Sequence, residues 1–300
     1  MRILICSDGT DPADNPTRLG ALVAGPCKAA TTLLGIAENP GDEEPLRRAL
    51  ENEAEILRRH GISPVTVIRS GEPIRQILSA TSESDYDLAI IGARRKGDGG
   101  LYWRPEKTDE VIKAIPPPVL VAIGPCEKVG RILVCTGGKR YSDAAVQLAG
   151  EIAACVRGTV TLLHVMAEPP AIYADLVRLE EDVDRLLNSG SELGQNLRGQ
   201  KESLEKLGVT VQIRIRHGLA LDQIFAEVHE GDYDLIATGS SQARGTLRHY
   251  IMGDLTRGIL NRADCPVLVA RASKLKDEKS AEGPNFFQRL FGGLGSGEEN

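Results

Sequence analysis

Four short segments put hydroxyl, acidic and glycine residues directly after apolar runs: residues 7–9, 92–95, 136–138 and 239–241. Glycine lets a backbone approach a ligand closely, and N–H groups near a helix N-terminus attract an anion. The candidates these segments supply are Asp8 and Gly92 early in the chain, and Thr136, Gly137, Gly239 and Ser241 later. Val165 and Thr238, in neighbouring apolar runs, and Gly253, Asp254 and Thr256, opening a later helical pattern, join them. Ordinary turn chemistry accounts equally well for Asp8, and backbone needs alone for Gly239 and Gly253. Arg94, Arg95 and Lys96 read as a solvated loop, and His164 and His217 as packing or surface residues. No G-x-S-x-G elbow, P-loop or metal-spaced His–carboxylate cluster occurs, so neither a catalytic residue nor a metal site is assigned.

The elements that position these residues repeat. RILICSDG at 2–9 matches RILVCTGG at 131–138, and TLLGI at 32–36 matches TLLHV at 161–165, both at an offset of 129. Residues 68–92 match 215–239 at an offset of 147, with 11 identities in 25 positions, and PVLVA at 118–122 recurs at 266–270. Two related units are therefore expected, over 1–123 and 131–272, joined by a linker at 124–130 and followed by a flexible tail at 273–300. Within each unit five short, almost wholly apolar runs alternate with helical patterns, as parallel strands buried on both faces do. The expected fold is α/β, two repeated doubly wound five-stranded parallel-sheet domains. Ligands of such sheets bind beyond the carboxyl ends of the strands, where the candidates lie. Pro16 is expected at the start of one helix, preceded by Asn15 as cap, and Ser142 as the cap of another.

Composition narrows the functions. The 36 Lys+Arg and 42 Asp+Glu give a net charge of −6, against the basic surface that nucleic-acid binding requires. Aromatics at 4% leave little for base stacking. No apolar run is long enough to span a bilayer, the opening MRILICSDGT lacks the regions of a signal peptide, and six cysteines form no C-x-x-C pair. A cytoplasmic protein is expected, with Cys6 and Cys135 as small buried hydrophobes.

The segments ILICSDGT, R-x-G before a helix, DYDLIATGS and CPVLVA resemble the universal stress proteins, over roughly residues 1–272. The resemblance implies a five-stranded α/β sheet of adenine-nucleotide α-hydrolase type. It also implies ATP binding in members that carry an Asp after the first strand and G-x2-G-x9-G-[ST] after the fourth. Here those features are split. Asp8 stands in the first copy, whereas Gly239 and Gly253 stand in the second, one residue too far apart, with Asp254 in place of Ser or Thr. Alignment of Thr108 with Thr256 sets Pro105 opposite Gly253 and Glu106 opposite Asp254. Proline lacks an N–H and cannot replace a glycine of positive φ, so triphosphate binding in the first copy is expected to be lost.

The reading is a non-enzymatic, tandem stress-response binding or regulatory protein with degenerate nucleotide sites. Its alternative is an ATP- or AMP-binding switch that uses mainly the second copy. No cofactor is assigned beyond ATP or another adenine nucleotide as candidates. By the resemblance, relatives dimerise through their last strands, so 118–122 and 266–270 are expected to pair within the chain. The second copy's insertion, 171–207, carries one stripe through Leu176, Leu179, Val183, Leu186, Gly190, Leu193, Leu197, Gln200, Leu204 and Leu207. It is expected as a long helix on its own sheet, with a partner seam as alternative; Gly190, Gly194 and Gly199 count against continuity. Phe286, Phe287, Leu290 and Phe291 form a short docking motif for a protein partner or, weakly, a membrane surface, with disordered tail as the equal alternative.

Overall fold

The computed structural model describes residues 1–9, 16–93, 105–138, 142–168, 183–240 and 253–271. The first copy runs β1 (Arg2–Ser7), α1 (Pro16–Ala24), β2 (Ala30–Ala37), α2 (Glu43–Arg59), β3 (Val65–Ser70), α3 (Pro73–Glu83), β4 (Leu88–Gly92), α4 (Pro105–Ala114) and β5 (Val119–Ala122). The second runs β6 (Arg131–Cys135), α5 (Asp143–Val156), β7 (Thr159–Met166), α6 (Val183–Asn188), α7 (Glu192–Lys206), β8 (Thr210–His217), α8 (Ala220–Gly231), β9 (Leu235–Ser240), α9 (Asp254–Arg262) and β10 (Val267–Arg271). Each of the five apolar runs expected in either unit forms a strand. All ten form one sheet in the order β3-β2-β1-β4-β5-β10-β9-β6-β7-β8, so both copies share the 3-2-1-4-5 order.

Pairing is parallel everywhere except at the centre, where β5 and β10 run antiparallel with Leu120 opposite Leu268. Both leucines are fully buried. The expected pairing of the last strands within the chain is thus present. Successive strand residues serve opposite faces. Ile3 and Ile5 pack under α1 and α2 in a layer that also takes α5 and α7; Leu4 and Cys6 pack in the layer of α3, α4, α8 and α9. Among the described residues no helix is long and apolar enough to cross a membrane.

The motifs shared by the two copies turn out to brace the strands. Asp87 accepts the Arg2 N–H at 2.7 Å, and Asp234 accepts the Gly130 and Arg131 N–H groups at 2.9 and 2.8 Å. Arg2 and Arg131 lie over the rings of Tyr86 and Tyr233. The D-Y-D segment therefore pins the start of the central strand in each copy. The arginine of R-x-G reaches the end of the following helix: Arg69 donates to Glu83 at 3.0 Å, and Arg216 to Glu227 at 2.7 Å and to Glu230.

Two expectations need correction. The insertion's stripe is broken: α6 ends at Asn188, and α7 starts at Glu192 after Ser191, whose hydroxyl accepts the Gly194 N–H at 3.1 Å. Gly194 approaches so closely that an added Cβ would lie 2.2 Å from the Leu186 carbonyl oxygen. Beyond the break Leu197, Gln200 and Leu204 are buried against their own sheet. Leu176, Leu179 and the tail residues 285–295 lie outside the described residues. Ser142 does precede α5, but its side chain makes no capping bond. It is drawn instead into the network described next.

Candidate functional site

Each central strand ends in a buried polar knot. In the first copy the Ser7 and Thr17 hydroxyls donate to the two carboxylate oxygens of Glu53, each at 2.6 Å. The Gly9 N–H donates to Ser7 Oγ at 3.1 Å. Glu53 is only 5% exposed, and a carboxylate so placed needs such donors. In the second copy Gln200 takes the place of Glu53. Its Oε1 accepts from Thr136 Oγ1 at 2.9 Å, while its Nε2 donates to Ser142 Oγ at 3.1 Å and Asp143 Oδ1 at 2.9 Å. An amide both donates and accepts, which is why its ring of partners differs. Gly138 N donates to Thr136 Oγ1 at 3.1 Å, repeating the first copy's turn. Gly9 and Gly138 have φ of 71° and 66°, the left-handed region glycine favours.

Around the first knot lies a cavity of about 240 Å³, walled by Ile36, Leu46 and Ala49 and by the carboxyl-bearing Asp8, Glu38 and Asp42. In the second copy Gly137 stands where the first has Asp8. His164, where the first copy has Gly35, donates its Nδ1 proton to the Thr136 carbonyl at 2.9 Å. Burial holds the His164 pKa below its ordinary value, and nearby His217 adds to this, against the opposing effect of the Thr136 bond. Its ring lies 3.1 Å from where a Cβ on Gly138 would stand, so the turn is closed over.

The carboxyl edge of β6, β7 and β9 brings together Thr136, Gly137, Val165, Thr238 and Gly239. Cys135 is level with Leu163 and Thr238, and Thr136 N donates to the Leu163 carbonyl at 2.9 Å. Thr238 is buried, Val165 is half-buried, and Gly239 is paired with Ala270. Gly253 precedes α9, Asp254 is its first residue, and Thr256 is buried behind it. Ser241 lies outside the described residues. Asp8 follows β1 and Gly92 ends β4, and because β5 and β10 are antiparallel, that edge faces the opposite way. The acid of one copy and the glycines of the other cannot form one site.

Gly253 has φ −62° and ψ 152°, and a Cβ there would meet nothing within 4 Å. The expected positive φ at this position is therefore wrong. What separates Pro105 from Gly253 is only the missing N–H, since proline itself favours that φ. Thr108 and Thr256, the aligned threonines, are both 3% exposed, and Thr108 Oγ1 has no hydrogen-bond partner. Glu53 and Thr17 escaped the sequence reading. The signal was available: Glu53 lies in the buried stripe of Leu46, Leu50 and Leu57 on α2, where an acid needs an internal partner.

Two copies of a 3-2-1-4-5 parallel sheet, each with a glycine turn after its first strand, define a tandem α/β protein. The model of the universal stress protein family matches residues 1–122 and 128–271, and the chain belongs to that family. Similar solved structures include a universal stress protein from Archaeoglobus fulgidus DSM 4304, 16% identical, with TM-score 0.64, covering 91% of this chain and 98% of that one. A functionally unknown protein from Pseudomonas aeruginosa PAO1 is 18% identical with TM-score 0.65, over 90% of this chain and 92% of its own. A putative universal stress protein from Pseudomonas aeruginosa UCBPP-PA14 gives the same values. At these identities the likeness is one of fold. No curated protein matches the chain.

Proposed function

We propose that this chain is a non-enzymatic binding and regulatory protein of the stress response, with both nucleotide sites degenerate. The observation that carries this is the chemistry of two helix N-termini. Helix α9 opens with Asp254, and α4 opens with Pro105 followed by Glu106. A phosphate at α9 would meet the Asp254 carboxylate, and at α4 it would lack the N–H donor that Pro105 does not carry. Calorimetry with ATP, ADP and AMP, together with assay of nucleotide released on denaturing the purified protein, tests the reading. Absence of bound nucleotide and of binding heat is expected; stoichiometric ATP released from the protein would overturn it.

A second reading, an adenine-nucleotide switch in the second copy, draws on Gly253. Neither its φ nor its surroundings require glycine, which leaves room for a ligand to approach. The units 1–123 and 131–272, the linker 124–130 and the tail 273–300 are proposed as the domain plan. The cytoplasm is the proposed location, supported by six cysteines that stand as free thiols.

A further inference from the structure

The cavity of the first copy divides by chemistry. Ile36, Leu46 and Ala49 give it an apolar wall, and Asp8, Glu38 and Asp42 bring three carboxyls, with no lysine, arginine or histidine among the described lining residues. Glu38 Oε1 is buried and has no hydrogen-bond partner. Asp42 turns one oxygen, Oδ2, to the Asn39 N–H at 3.2 Å and Nδ2 at 2.9 Å. A buried acceptor without a donor is costly, and a ligand that brings an N–H would remove that cost.

An anion does not fit here. It would meet three like charges. At α3 the first N–H groups are already taken, Glu72 accepting those of Ile74 and Arg75 at 3.1 and 2.8 Å, and at the start of α2 Asp42 adds a carboxylate without capping the helix. A metal ion does not fit either, because among the described residues no group of three or more His, Cys, Asp or Glu is placed to hold one. Carboxyls spread around an apolar wall suit positive charges spread along a carbon frame. At about 240 Å³ the cavity has roughly eight times the share of volume a water takes in the liquid, enough for a short aliphatic chain.

We propose that the first copy's cavity binds a small organic cation of the alkyl-diamine class, its ammonium groups meeting Glu38 and the Asp8–Asp42 side and its methylenes lying on Ile36 and Leu46. This rests on the reading of the chain as a non-enzymatic binding and regulatory protein and specifies the ligand class of one copy. The ligand needs no phosphate and the site no catalytic group.

Calorimetry on the full chain with diaminobutane, adenosine, ATP and magnesium chloride as separate probes tests it. Diaminobutane is expected to bind, to weaken at higher ionic strength, and to lose about ten-fold or more in affinity in Glu38→Gln, the scale of one charged hydrogen bond. Asp42→Asn is expected to weaken it less, because that side chain already has a partner. Asp254→Ser, on the opposite edge of the sheet, should leave it unchanged. No diaminobutane binding, or binding indifferent to Glu38→Gln in protein of unaltered circular dichroism, overturns the proposal. So does Glu38-dependent binding of magnesium or of adenosine in place of the diamine. ATP binding abolished by a change at Gly253 but not at Glu38 would overturn the reading of degenerate nucleotide sites and leave the cation proposal standing.

Discussion

Asp109 on α4 and Arg257 on α9 occupy the same position in the two copies, 148 residues apart, and pair across the centre of the molecule at 3.1 Å. Leu120 and Leu268, also 148 apart, face each other in the sheet below. An apolar position can meet its own equivalent with no penalty, but a charged one cannot. Two first copies paired in this way would set Asp109 against Asp109, and two second copies would set Arg257 against Arg257. The tandem arrangement alone makes the contact attractive.

That relationship predicts a charge-swap result. Asp109→Arg should destabilise the chain, and the double swap Asp109→Arg with Arg257→Asp should recover the loss. A double-mutant cycle by urea denaturation should give a coupling of about 0.2–1 kcal/mol, the range for partly exposed ion pairs. Either half expressed alone should expose the apolar edge of β5 or β10 and self-associate; a half that stays monomeric at high concentration in sedimentation would refute this.

The buried knot under the first copy's turn should be more costly to disturb. Glu53→Ala removes the acceptor of the Ser7 and Thr17 hydroxyls and opens a cavity, and should cost about 2–4 kcal/mol in chemical denaturation. Glu53→Gln keeps an acceptor for one hydroxyl and should cost less.

Acid should act on two groups at different pH. The Arg69 hydrogen bond, helped by Ser79, holds Glu83 at a pKa of about 2. A folded-state value below the unfolded one gives stability that is full above about pH 4.5 and lost as pH falls toward 2. Arg69→Met should return the Glu83 carboxyl to its ordinary range in an NMR titration. His164 is also depressed, chiefly by burial, so its share of stability is intact above pH 6.5 and falls below it. His164→Gln should remove the pH dependence of melting in that window.

The cysteines should divide by burial. Desolvation pushes the Cys6 and Cys135 thiols up to about 12. Neither should react with iodoacetamide in the native protein at mildly alkaline pH, and both should react after unfolding, as mass spectrometry of the labelled peptides would show.

The repeat, the ten strands and the family were legible because parallel strands buried on both faces write continuous apolar runs, and two copies of one pattern confirm each other. Asp8 and Gly253 were legible as positions, since they follow a strand or open a helix. Their separation onto opposite edges was not, because it follows from β5 and β10 meeting antiparallel, a pairing between segments far apart in the chain. Neither was the purpose of the shared motifs. D-Y-D and R-x-G read as a signature, yet Asp87, Asp234, Arg69 and Arg216 spend their charge on strand starts and helix ends. The conformation of Gly253 was misjudged for a related reason: residue type permits a positive φ, but the turn into α9 decides it. Local patterning determined what this chain is built from. Contacts between distant residues, which alone set where each acid and each glycine faces, determined what its sites can hold.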